Sequence, residues 1–66
     1  MKAFRNAGCG VCITLKEERE YILVASLGKH EFIVASHLSK DGSWGWGEYF
    51  KDIDSALAYF NGRVGG

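Results

Sequence analysis

The chain has 66 residues, of which 47% are hydrophobic and 14% aromatic, and its eight basic residues balance eight acidic ones. We therefore expect a single folded domain, residues 1–66, near the lower size limit for unaided folding. Zero net charge argues against a nucleic-acid binder, which needs a positive field, and against an acidic mimic of DNA. No apolar run is long enough to span a membrane and the first residues lead to no signal-peptide core, so a cytoplasmic protein with no nucleic-acid or membrane partner is expected.

Residues 1–10 show little periodicity and are predicted to form an irregular arm with a short extended piece at Ala3-Phe4-Arg5. Alternating β-branched residues over 11–16 predict a first strand, and a second strand is predicted over 20–27. Gly28-Lys29 then favours a two-residue hairpin loop of type II′, in which the glycine takes a positive φ. This loop sets the register of the third strand, because it places Leu23 opposite Val34.

The predicted hairpin is apolar on both faces. One face carries Tyr21, Leu23, Phe32 and Val34, and the other carries Ile22, Val24, Ile33 and Ala35. Because a single helix covers only one face of a sheet, the second face is expected to need a partner. We predict self-association, as a dimer or other homo-oligomer, through Ile22, Val24, Ile33 and Ala35, with the first set as the alternative.

Residues 44–50, W-G-W-G-E-Y-F, alternate large and small side chains and predict a fourth strand with Trp44 and Trp46 on one face. Aromatic residues flanked by glycine are typical anchors of protein interfaces, so Trp44, Trp46 and Tyr49 are the predicted contacts with a larger protein partner. The alternative is that these rings cover the sheet core. The segment has no interleaved basic residue, which argues against base stacking.

The chain after Phe50 predicts one amphipathic helix. Asp52 is a good N-cap, and apolar residues recur at i, i+3, i+4 and i+7 from Ile53 to Phe60. Asn61-Gly62 is expected to end this helix, and residues 63–66 are predicted to be a mobile tail. The predicted fold is α+β, an antiparallel three- to four-stranded β-meander with one C-terminal α-helix packed on one face.

Cys9 and Cys12 form a C-x-x-C motif, which can chelate zinc or cycle between dithiol and disulfide. A strand pattern follows the motif where a redox site would need a helix N-terminus. His30 and His37 could supply further zinc ligands, but they are predicted on opposite faces of one strand. Cys9 and Cys12 thus remain alternative candidates for a zinc- or thiol-dependent function, while the main expectation is a protein without metal or cofactor.

The chain also lacks the sequence motifs of common enzymes. No G-x-S-x-G nucleophile elbow and no phosphate-binding G-K-[ST] loop occur, so a non-enzymatic protein is predicted. The Gly65-Gly66 ending resembles the tail of ubiquitin-like sulfur-carrier proteins. That resemblance implies activation of the terminal glycine as a thiocarboxylate, and a sulfur carrier is a further alternative.

The segment W-G-x-G-x-Y-F followed by D-x-D-x-A-L-x-Y-F, residues 44–60, is similar to small uncharacterised proteins of Gram-positive bacteria and their phages. The resemblance implies a short sheet-plus-helix domain and identifies no catalytic residue. It also implies a mode of action, since small phage proteins commonly bind and block a host protein such as a defence nuclease. Taken together, the sequence predicts a self-associating protein-binding module that inhibits or regulates a larger protein.

Overall fold

The computed structural model describes residues 2–65 and confirms an α+β fold, with an antiparallel meander followed by one helix. The strands follow chain order across a single sheet. They are β1 (Lys2–Asn6), β2 (Gly10–Glu18), β3 (Tyr21–Ser26), β4 (Glu31–Ser36) and β5 (Trp46–Phe50), and the helix is α1 (Ile53–Gly65). The sheet therefore has five strands where three to four are predicted.

The additional strand, β1, lies within the predicted irregular arm. Its turn into β2 is set by Asn6, whose Oδ1 accepts the backbone N–H groups of Gly8 at 2.9 Å and Cys9 at 3.0 Å. Gly10 follows with a φ of 76°, which suits glycine. The predicted extended piece at Ala3-Phe4-Arg5 is confirmed, but it is a paired strand over Lys2–Asn6 and not part of an irregular arm. A side-chain hydrogen bond closes its turn into β2, and strand periodicity does not reveal such a bond. Met1 lies outside the described residues.

The register of the β3–β4 hairpin agrees with the sequence prediction, with Leu23 opposite Val34. The loop differs, because it spans residues 27–30 and the positive φ belongs to His30, at 54°. A four-residue loop centred at the same point pairs the same residues as a two-residue loop. The predicted register is therefore correct although the predicted turn type is wrong. Gly28 instead allows a close approach, since a Cβ there would lie 3.1 Å from the carbonyl oxygen of Cys9.

The helix begins as predicted but continues further. Asp52 is the N-cap, and its Oδ2 accepts the backbone N–H of Ser55 at 2.8 Å. The helix does not end at Asn61-Gly62 as predicted, and residues 63–65 are helical where a mobile tail is predicted. The reason is that Val64 is buried and extends the apolar stripe of the helix by one turn. Gly66 lies outside the described residues.

The helix packs against β3, β4 and β5. Ala56, Phe60 and Val64 form a buried cluster with Leu23 and Val34. The helix thus covers the sheet face that carries Tyr21, Leu23, Phe32 and Val34, which we call the helix-side face. The opposite side of the sheet, with Ile22, Val24, Ile33 and Ala35, is called the inner face.

The N-cap makes stability depend on pH in acid. Hydrogen bonds from Ser55 hold the pKa of Asp52 below its ordinary value of 3.8, so the cap stabilises the fold above pH 3.8 and is lost as the pH falls through the lowered pKa. Asp52→Asn keeps a capping oxygen that does not titrate, and its thermal midpoint should fall less than that of the wild type between pH 4 and pH 2. Equal pH slopes for Asp52→Asn and the wild type would contradict this role of Asp52.

Candidate functional site

The four residues predicted to mediate self-association are buried within the single chain. Val24, Ile33 and Ala35 are 0% exposed and Ile22 is 3% exposed. They form one cluster with Cys9 and Cys12, against which Phe4 and Trp44 pack. The premise that a second subunit must cover this face is therefore corrected, because the chain covers its own inner face.

The cover is completed by the crossing loop, residues 37–45, which runs from β4 across the inner face to β1. Asn6 Nδ2 donates a hydrogen bond to the carbonyl oxygen of Gly42 at 2.8 Å. Gly42 has a φ of 90°, and a Cβ at this position would overlap the carbonyl oxygen of Arg5. Trp44 meets Phe4 edge to face at a centroid distance of 6.4 Å. The loop therefore ties the two ends of the sheet together over the core.

The predicted aromatic contact residues separate onto the two faces of the sheet. Trp44 Nε1 lies 3.3 Å from the hydroxyl of Tyr49 on the inner side. Trp46 lies on the helix side, where it stacks on Tyr59 at 6.0 Å and the guanidinium of Arg63 sits 4.8 Å from its ring centre. The predicted shared face of Trp44 and Trp46 is wrong because β5 begins only at Trp46, so strand alternation does not include Trp44. Partner contact through the three aromatic residues stays a prediction.

Cys9 and Cys12 are both buried free thiols. Burial raises the pKa of the Cys12 thiol, and the neighbouring Cys9 raises it further, which is opposite to what a reactive thiolate requires. Within residues 2–65 no three side chains of His, Cys, Asp or Glu come together as a metal site. His30 and His37 are exposed at the two ends of β4. The geometry gives the two cysteines a packing role in the inner-face core.

The helix leaves part of its own side of the sheet uncovered. A helix is about 10 Å wide and strands are about 4.8 Å apart, so one helix covers roughly two to three of five strands. The uncovered part, which we call the open half, consists of apolar residues on β1, β2 and the end of β3 together with the following turn. Leu27 is 52% exposed and Val11 is 37% exposed. The members of the open half are Ala3, Val11, Ile13, Ala25 and Leu27.

Charged residues border the open half in an ordered way. Arg5 is paired with Val11 at one end of β2, and Glu18 is paired with Tyr21 at the other end. Lys16 lies between them, with its ammonium 5.8 Å from the ring centre of Phe60. On the helix side, Arg5 of β1 therefore lies beside one end of β2, and Lys16 and Glu18 lie toward the other end.

The sequence interpretation overlooked the open half, although the alternation of Val11 and Ile13 with buried Cys12 and Thr14 was a usable signal. It places apolar side chains on both faces of β2, so a helix over β3–β5 necessarily leaves some of them exposed. No helix within residues 2–65 has the length and apolar character needed to cross a membrane. No family model, no curated protein and no solved structure matches the chain.

Proposed function

We propose that the protein is a non-enzymatic protein-binding module that self-associates through the open half of its helix-side face. The observation that carries this proposal is the exposure of Leu27 and Val11 beside half-buried Ile13 and Ala25 on one continuous surface. Contiguous exposed apolar surface on a small domain typically marks an interaction site. Inhibition of a host protein, which the resemblance to phage proteins implies, stays a prediction.

Charge favours a second copy as the occupant of this surface. The chain has no net charge, so two copies do not repel one another as whole molecules. A two-fold axis across β2 would place Arg5 of one copy against Glu18 of the other, because Arg5 lies beside one end of β2 and Glu18 lies at the other end. The open half is therefore complementary to itself in charge as well as in apolar character.

A dimer interface of ordinary size would include Arg5 and Glu18 as well as the apolar residues of the open half. A stable interface buries about 800 Å² per partner, and the whole chain exposes 4156 Å². An interface of that size is roughly a fifth of the surface, which is more than five small or partly buried apolar side chains provide. The interface would therefore extend beyond the apolar residues to the border of the open half, where Arg5 and Glu18 lie.

Sedimentation of the wild type and a Leu27→Lys variant tests the proposal. We expect a concentration-dependent dimer for the wild type and a dimer Kd at least about tenfold weaker for Leu27→Lys, because a lysine there would have to lose its hydration. Ile53→Lys is the matched control, since Ile53 is 38% exposed at the start of the helix, and it should dimerise like the wild type. A wild type that stays monomeric, or equal effects of the two lysines, would refute self-association through this surface.

A charge exchange refines the same test. Arg5→Glu should weaken the dimer about fivefold, and adding Glu18→Arg should restore most of the loss, because the pair then attracts again with reversed signs.

A further inference from the structure

We infer that the inner side of the sheet carries a second binding site, for an extended segment of a partner protein that inserts one large apolar side chain flanked by acidic residues. The site is a cavity of about 160 Å³ between β1 and the crossing loop. Phe4, Ile22 and Leu38 supply its apolar lining, and Lys2 and Lys40 are its basic lining residues. It lies across the sheet from the open half and goes beyond the proposed self-association.

The volume of the cavity selects the size of its occupant. An apolar cavity of about 150 Å³ holds one benzene molecule, whereas sites for cofactors and drug-sized ligands measure roughly 300–1,000 Å³. A space of about 160 Å³ thus accommodates one aromatic ring or one leucine side chain. A single anchoring side chain of a peptide meets this limit.

The charges around the cavity select acidic neighbours for that anchor. Lys2 and Lys40 are both exposed, and the one acidic residue of the lining is Glu17. Glu17 and Lys2 form only a long ion pair of 4.0 Å, with the lysine side chain 80% exposed, so this pair is weak and easily exchanged. The lining therefore carries a net positive charge and would attract carboxylates on either side of the anchor.

The edge position of β1 determines the conformation of the segment. β1 pairs with β2 on one side, and in the described part of the chain no other strand pairs with it. The crossing loop contacts the Arg5–Asn6 end of β1 through Gly42, while the cavity lies beside the Lys2–Phe4 end. An extended peptide can add to a free strand edge through backbone hydrogen bonds, and it then directs alternate side chains to the same face. Residues two positions before and after the anchor would therefore meet the lysines.

Titration of the full chain with blocked pentapeptides, followed by amide NMR shifts, tests this inference. Acetyl-Glu-Thr-Leu-Thr-Glu-amide should cause saturable shifts at Phe4, Ile22 and Leu38 with a Kd on the order of 1 mM, and should slow hydrogen exchange in β1. Replacing the central leucine by alanine, or both glutamates by lysines, should weaken binding at least about fivefold. Using the Leu27→Lys variant keeps this test independent of dimerisation.

Two protein variants complete the design. Lys40→Glu should weaken binding of the acidic peptide about fivefold, while Lys29→Glu makes the same charge change in the exposed β3–β4 turn and should leave binding unchanged. The inference is overturned by the absence of saturable shifts, by equal effects of the two variants, or by equal binding of all three peptides. It is also overturned if free 3-phenylpropionate binds as tightly as the acidic peptide, because the cavity would then be a site for small carboxylates.

Discussion

An Ile33→Lys variant is expected to be unfolded at neutral pH. Ile33 is 0% exposed on the inner face, so the substitution removes a core side chain and places an ammonium group where water does not reach. Losing a buried Ile side chain alone costs about 2–5 kcal/mol, and a domain of this size has roughly 3–10 kcal/mol of stability in total. Circular dichroism and the dispersion of amide NMR signals would report the loss of structure.

Two comparisons make the Ile33→Lys result informative. Ile33→Val keeps the apolar surface, should cost about 1 kcal/mol and should remain folded. Leu27→Lys should also remain folded, because Leu27 is half exposed in the single chain. A folded, monomeric Ile33→Lys protein derived from a dimeric wild type would show that the inner face is the subunit interface after all, as the sequence predicts, and would contradict the burial described above.

The hairpin shows which parts of this fold the sequence determines. Its register was predictable from the position of the turn, because a loop centred between Gly28 and Lys29 places Leu23 opposite Val34 whether it has two or four residues. The turn was less predictable, since Gly28 has two reasons to be glycine: a positive φ, or the close approach to Cys9 that the structure contains. Sequence alone does not distinguish a conformational need from a packing need.

The cover of the inner face could not be predicted for a different physical reason. It depends on contacts between positions far apart in sequence, such as Asn6 with Gly42 and Phe4 with Trp44. Asn6, Phe4 and Gly42 belong to no periodic pattern, and the alternation that includes Trp44 assigns it to the same face as Trp46. The rest of the crossing loop has the composition of an ordinary turn. The sequence correctly indicates two apolar faces and one helix, but it does not indicate that a loop closes the second face. With the inner face closed by its own loop, the exposed apolar surface described above lies on the helix side, in the open half.

The side chain of Asn6 joins β1 to the crossing loop by a hydrogen bond, which leads to the second large expected effect. Asn6 is 9% exposed and makes three hydrogen bonds, two through Oδ1 to the turn and one through Nδ2 to Gly42. Each of these hydrogen bonds contributes about 1 kcal/mol, so Asn6→Ala should lower the free energy of unfolding by roughly 3 kcal/mol. Urea denaturation would measure this loss. Asn61→Ala makes the same chemical change on an exposed helix position and should alter stability by less than about 0.5 kcal/mol.

Asn6→Asp separates the turn from the loop. An aspartate keeps the oxygen that accepts the N–H groups of Gly8 and Cys9, but it cannot donate to Gly42 and places a carboxylate against that carbonyl oxygen. We therefore expect an intermediate loss of stability together with increased binding of a hydrophobic dye, because the crossing loop would separate from the inner-face core. An Asn6→Asp protein as stable as the wild type would mean that the hydrogen bond to Gly42 does not hold the loop. Burial of the inner face would then depend on packing contacts of the loop such as that of Trp44 against Phe4.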